Sequence, residues 1–239
     1  MYAIIKKELR SYYRSAATYA FFILLLLFGG FYFSKHLFSP ANYTLAHLFS
    51  DISVLFPLLI PILTMRSFAI ERHYETDKIL FTGRASIFSI VLAKFFSIAS
   101  IFLLGMSLVF CYPILLYILG GAHMGALLLM YLGLCLFGCV IIAFGIFLSS
   151  MSSHPLRAGI VTIAGIMAFW MLATVLSNIE NTALRELLAM FSVYSELGSF
   201  QYGLLQASSV LYMLSYTFAL LLLTAQTMHI WRATKYGSA

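Results

Sequence analysis

The chain has 239 residues, of which 62% are hydrophobic and 9% are charged, and its formal net charge is +6. A soluble domain carries about 25% charged residues, and no water-exposed packing of this length hides so much apolar surface. A water-soluble globular fold is therefore excluded, and lipid is the expected solvent, consistent with a mean hydropathy of +0.98.

In lipid the backbone must satisfy its own hydrogen bonds, which leaves helices or a closed barrel. Long unbroken apolar runs, rather than alternating ten-residue segments, predict helices. Residues 1–14 open the chain as an amphipathic helix. Tyr2, Ile5, Leu9, Tyr12 and Tyr13 fall on the apolar side by spacing, and Lys6, Lys7, Arg10 and Arg14 on the other. Such a helix lies in the membrane interface with its cations toward anionic lipid, and the same cations also set topology. The apolar run that follows is too long for the core of a secretory signal, and no small-x-small cleavage pattern succeeds it, so it reads as a retained span.

Charged residues mark where the spans end, because each costs about 2.5–3.5 kcal/mol at a helix centre. Residues 15–34 carry no charge, which predicts a first span over about 15–35. The second runs over about 42–65, with Asp51 toward its outer part and Pro57 and Pro61 in its inner half. Residues 95–156 hold no Asp, Glu, Lys or Arg across 62 positions, enough for two spans, about 86–119 and 123–150, turning at Gly120-Gly121-Ala122-His123. The fifth span is expected over 156–178 and the sixth over 207–231, after a non-spanning piece. With six spans and the N-terminus inside, twelve of the 14 Lys and Arg face the cytosol; Lys35 and Arg185 lie outside. Both termini are then cytosolic.

The three cysteines, Cys111, Cys135 and Cys139, all fall inside apolar runs, so no disulfide framework is expected. Six scattered histidines form no H-E-x-x-H zinc motif, and no G-x-S-x-G nucleophile elbow occurs. His47 and Asp51, four apart on the second span, could share a proton or bind a cation, or be solvated at headgroup depth. Ala164 and Ala168 form a small-xxx-small pair. No G-x-x-x-x-G-K-[ST] phosphate loop is present; Gly29-Gly30 is followed by Ser34-Lys35 at the wrong spacing. The basic balance reflects membrane-flanking cations and gives no argument for nucleic acid.

The stretch 66–85 carries Arg66, Glu71, Arg72, Glu75, Asp77, Lys78 and Arg84, seven charges that forbid burial in hydrocarbon. It reads as a cytosolic loop with a short helix, and the apolar patch Ile79-Leu80-Phe81 beside mixed charge suits docking to a soluble partner. A solvated hairpin joining two spans is the simpler alternative.

The run PILTMRSFAIERHYETDKILFTGRASIFSIVLAK resembles the first cytoplasmic loop of ABC-2 type transporter permeases, nearest to the gliding-motility and copper-site-maturation branch. Pro61, Leu63, Thr64, Met65, Arg66, Ala69, Glu71, Arg72, Thr76, Leu80, Thr82 and Lys94 match that pattern. Ile70, Glu75, Lys78 and Arg84 depart from it. The opening KKELRSYYRSAATYAFF and the run MYLGLCLFGCVIIAFGIFLSSMSS, ending at Ser149-Ser150, resemble the family's start and fourth span.

The resemblance implies an all-α membrane protein of six transmembrane helices with an N-terminal interface helix and a cytosolic coupling helix between spans 2 and 3. Short re-entrant extracytoplasmic helices would follow span 5, over 179–206. It implies a permease subunit of a bacterial inner-membrane exporter, with no catalytic residues and no cofactor of its own. ATP and Mg would be held by a separate ABC ATP-binding subunit on the cytosolic face. A second permease, the same chain or a sister, would complete the pair. Glu71, Arg72, Thr76, Asp77, Lys78 and Thr82 would couple to the ATPase, and Lys6, Lys7, Arg10 and Arg14 would anchor the interface helix. The alternative is an ATP-independent secondary carrier or channel, which usually places a charge or broken helices at mid-membrane. Asp51 comes nearest to that.

Overall fold

A computed structural model of the chain describes residues 2–38, 45–74, 86–118, 124–176, 193–201, 203 and 206–236. Among these it is helical, with no strand. Ten helices follow in order: α1 (Tyr2–Tyr13), α2 (Ala16–Phe38), α3 (Leu45–Thr64), α4 (Ala69–His73) and α5 (Ile87–Val109), then α6 (Cys111–Ile118), α7 (Met124–Met151), α8 (Pro155–Leu176), α9 (Val193–Gln201) and α10 (Ala207–Tyr236). Five stretches are long and apolar enough to cross a membrane: Ala16–Lys35, Ala46–His73, Ile87–Leu115, Met124–Met151 and Ala207–Thr234. Helix α8 is apolar as well, over the shorter stretch Pro155–Met171. The chain is thus a helical protein with five helices able to span a bilayer.

Helices α3, α5 and α7 form the centre, their apolar windows 67, 61 and 56% buried, while α2 and α10 flank them at 22 and 33%. The flanking helices turn apolar side chains outward. On α2 these are Tyr19, Ile23, Leu27 and Phe31, one every four residues and hence one face. An apolar exterior of this kind is what lipid requires and water opposes.

Close approach at the centre depends on α7. A Cβ on Gly138 would lie 2.1 Å from the Phe102 ring, one on Gly145 would lie 2.3 Å from the Thr64 hydroxyl, and one on Gly133 would lie 2.5 Å from Phe200. Those three glycines let α5, α3 and α9 seat against α7 without a side chain between. Phe56 stands edge-on to Phe102 at 5.3 Å and stacks toward Phe137 at 6.2 Å, closing the layer.

Two local features differ from the sequence expectation. The stretch expected as one span over 86–119 changes helix at Phe110, because Pro113 has no N–H to give Val109 and the ladder is interrupted there. Beyond the break, Tyr112 lies against α2, donating to the Leu26 carbonyl at 3.2 Å and stacking on Phe33 at 5.2 Å. A Cβ on Gly30 would come within 3.1 Å of that hydroxyl, which gives the Gly29-Gly30 pair a packing role. The second difference is Tyr13, which spacing puts on the apolar face of α1 but which is exposed. The inner face of α1 carries Tyr12 and Glu8 instead. The non-spanning piece before α10 is present as α9, tied back by Ser209 donating to Glu196 at 2.6 Å. The chain leaves α9 through Gly203, whose φ of +69° favours glycine.

Candidate functional site

One end of the bundle gathers most of the described basic residues. The start of α2, the end of α3, α4, the first turns of α5, the end of α7, the start of α8 and the last turns of α10 all meet there. Their contacts say so: Arg66 with Ser15, Phe68 with Ser149, His73 with His154 and Arg72 with Trp231. At this end, successive long helices therefore run in alternating directions.

Its centre is Lys94, which lies two turns inside the apolar helix α5 and is 1% exposed. An ammonium has three donors and no acceptor. Here each donor has a separate acceptor: Glu71 Oε1 at 2.8 Å, the Ser67 carbonyl at 2.8 Å and Glu8 Oε1 at 3.2 Å. The face of Phe68 covers the charge at 5.0 Å. A buried cation without such partners would be untenable in an apolar span. One side chain thus ties α1, the α3–α4 junction and α5 together. Ser97, three residues on, lies within 3.5 Å of the Ile5 carbonyl and keeps α1 along α5. Burial, with the Glu8 and Glu71 carboxylates nearby, raises the Tyr12 phenol above its ordinary value and keeps it neutral.

Helix α4 has five residues, AIERH, and its own N-cap position, Phe68, supplies no side-chain cap. Its first amides are unpaired within so short a helix. Ser149 supplies the cap from the last turn of α7, accepting from the amides of Phe68 at 3.1 Å and Ala69 at 3.2 Å. At the other end, the Arg72 guanidinium stacks over the Trp231 ring at 4.0 Å and points a donor at Met228 Sδ, 3.7 Å away. The His73 and His154 rings approach to 4.8 Å. So α4 is held by α5, α7, α8 and α10 at once.

Of the residues read as coupling contacts, Glu71 and Arg72 turn inward to these partners. Thr76, Asp77, Lys78 and Thr82 lie outside the described residues. Lys6, Lys7, Arg10 and Arg14 are exposed on or just past α1, as its amphipathic pattern requires. The carboxylate of Glu8 was not legible locally, since it sits among Lys6, Lys7 and Arg10 and reads as solvated. The signal that could have found it is Lys94 itself: a lysine inside an apolar helix demands a buried acceptor. Asp51 is half-buried in α3, and His47, one turn earlier, is exposed.

Among the described residues, two cavities border these elements. A polar one of about 170 Å³ lies beside Lys94. An apolar one of about 60 Å³ lies deeper, lined by Ser53, Pro57, Phe137, Trp170, Tyr194 and Tyr216 among others. Among the described residues no group of three or more His, Cys, Asp or Glu is placed to hold a metal ion. No protein-family model matches the chain, and no curated protein matches it.

Proposed function

We propose that this chain is the membrane-spanning permease subunit of an ABC-2 type exporter, driven by separate ATP-binding subunits on its cytosolic face. The observation that carries the reading is the Lys94 node. It fastens the amphipathic helix α1 and the charged α3–α4 junction to the inner end of α5. A permease that receives force from outside the membrane needs such a joint, because the element that is pushed must be rigidly continuous with the helices that move. The resemblance of the 61–94 run to the family's coupling loop supports the same assignment.

In this reading Glu71 and Arg72 act as positioning residues that hold the loop to the bundle. Contact with the ATPase falls to Thr76, Asp77, Lys78 and Thr82, which follow α4 in the sequence. Lys6, Lys7, Arg10 and Arg14 anchor α1 at the inner headgroups of a bacterial plasma membrane. Helix α8, 22 residues and about 33 Å long at 1.5 Å per residue, serves as a sixth span. Both termini are then cytosolic, and residues 179–206 contribute the extracytoplasmic re-entrant part, in which α9 lies. A second permease, identical or sister, completes the pathway.

The test is to purify the tagged chain gently from its native membrane and identify its companions by mass spectrometry. An ATP-binding subunit in equal amount is the expected result, and it would be lost on altering Thr76, Asp77 and Lys78 together. A chain that comes out only with itself and transports without ATP would instead be a secondary carrier or channel.

A further inference from the structure

The polar cavity holds more charge than the Lys94 node uses. Its wall includes Lys7, Glu8, Ser11, Ser15, Arg66, Glu71 and Lys94. Lys94 lies between the two carboxylates and answers both. Among the described residues of the wall, three cations against two carboxylates leave one positive charge, and it belongs to Arg66 with Lys7. Arg66 is half-buried, and its guanidinium carries five donors in a planar fork. Among the described residues it donates one hydrogen bond, to the neutral Ser15 hydroxyl, and forms no ion pair.

The position of the cavity matters as much as its charge. Arg66 stands just past the end of α3, Ser15 just before α2, and Lys7, Ser11 and Tyr12 belong to α1. The same helix α1 that lends Lys7 and Ser11 to the wall carries Lys6 and Arg10 exposed, with Arg14 exposed just past it. Basic recesses between helices at this depth are where phospholipid headgroups bind. Arginine is the side chain whose fork matches phosphate oxygens in pairs.

We infer that this cavity binds a phosphate group, gripped by Arg66, with Lys7 as the second charge and the Ser11 and Ser15 hydroxyls orienting it. The single excess positive charge, with Glu8 and Glu71 also in the lining, matches a monoanionic phosphodiester better than a dianionic free phosphate. The preferred source is therefore an anionic phospholipid of the adjoining leaflet. About 170 Å³ suffices for the headgroup phosphate, since one water needs only about 10–15 Å³ by the same kind of measure. The inference rests on membrane embedding, and it stands or falls apart from the transporter reading.

The experiment places the full chain in nanodiscs of phosphatidylcholine with increasing phosphatidylglycerol, and follows the thermal unfolding midpoint. Wild type is expected to rise with phosphatidylglycerol. Arg157→Gln, which removes an exposed cation at the start of α8 away from the cavity, is expected to rise equally. Arg66→Gln should need about tenfold more anionic lipid for the same rise, the loss of one charge-assisted bond. Inorganic phosphate added to pure phosphatidylcholine discs separates the two sources. No rise is the expected result, and a rise that needs Arg66 would keep the site but make free phosphate its ligand. Equal lipid dependence of Arg66→Gln and Arg157→Gln would overturn the proposal. Should Arg66→Gln fail to fold, Lys7→Gln on the exposed face of α1 takes its place, and indifference of that variant overturns it equally.

Discussion

Where Phe102 meets Gly138 the bundle closes by shape, and where Lys94 meets Glu8 and Glu71 it closes by charge. The two regions lie on the same helix, α5, two turns apart. In the first, specificity comes from the absence of a side chain on α7, so that a ring can rest on backbone. In the second, it comes from matching three donors to three acceptors around one ammonium. Shape closure tolerates small slides of one apolar surface on another, because lipid and protein interiors are alike in polarity. Charge closure does not, since a displaced carboxylate leaves an unpaired ion in a low-dielectric place. The contrast separates a joint fixed by paired charge at one end of the bundle from a contact in its middle that depends on shape alone.

Breaking the charged end should produce the largest effect. Lys94→Met leaves two buried carboxylates without their cation, and the expected loss is about 3–5 kcal/mol in a denaturation series in mild detergent. Adding Glu8→Gln and Glu71→Gln to that variant should recover most of it. A single Lys94→Met chain as stable as wild type would mean that the node is not closed.

The middle is probed next by Gly138→Ala. A methyl 2.1 Å from the Phe102 ring forces a shift, with a cost of about 1–3 kcal/mol. The better helix propensity of alanine offsets about 1 kcal/mol of this. With Phe102→Leu in the same chain the sign should reverse, and the alanine should stabilise. A thermal midpoint for the four chains decides it.

Smaller still is Ser149→Ala, which removes the cap on α4 and should cost about 1 kcal/mol. Its effect should be local, seen as faster amide hydrogen exchange at Arg72 and Tyr74 with the exchange of α5 unchanged. Loss of protection along α5 as well would show that α4 and the Lys94 node are one unit. The least effect is expected from Arg72→Gln, which removes a stacked cation worth about 0.5–1 kcal/mol. Trp231 emission, read in a Trp170→Phe background, should shift while the unfolding midpoint barely changes.

Much of this arrangement was legible in the chain because charge is so expensive in lipid. Arg14, Arg66, Arg157 and Arg232 mark the ends of apolar runs by their cost alone, and their neighbourhoods come together at one end; Lys94 marks no such end, since it lies two turns inside α5. Spacing also found the exposed cations of α1 and the piece before Ala207. What escaped depended on contacts between distant residues. Glu8 and Lys94 are 86 residues apart, and nothing around Glu8 distinguishes it from a solvated acid. Tyr13 shares the spacing of Leu9, yet α1 is rotated so that Glu8 and Tyr12 face inward, because that is where Lys94 can be reached. The Phe110 break was readable from Pro113. The role of Gly29-Gly30 was not, because it needs the position of Tyr112.

The borrowed cap on α4 has a consequence for when that helix exists at all. Five residues close too few hydrogen bonds to offset the ordering of their own backbone, so α4 has no stability of its own. The Phe68 and Ala69 amides that open it are satisfied only while the last turn of α7 stands beside Phe68. A withdrawal of that turn by a few ångströms would uncap the helix and let it unwind, without any change in the residues of α4 themselves. The segment thus takes its start from α7 and its remaining anchors from α5, α8 and α10, so its folded state registers the assembled end of the bundle as a whole.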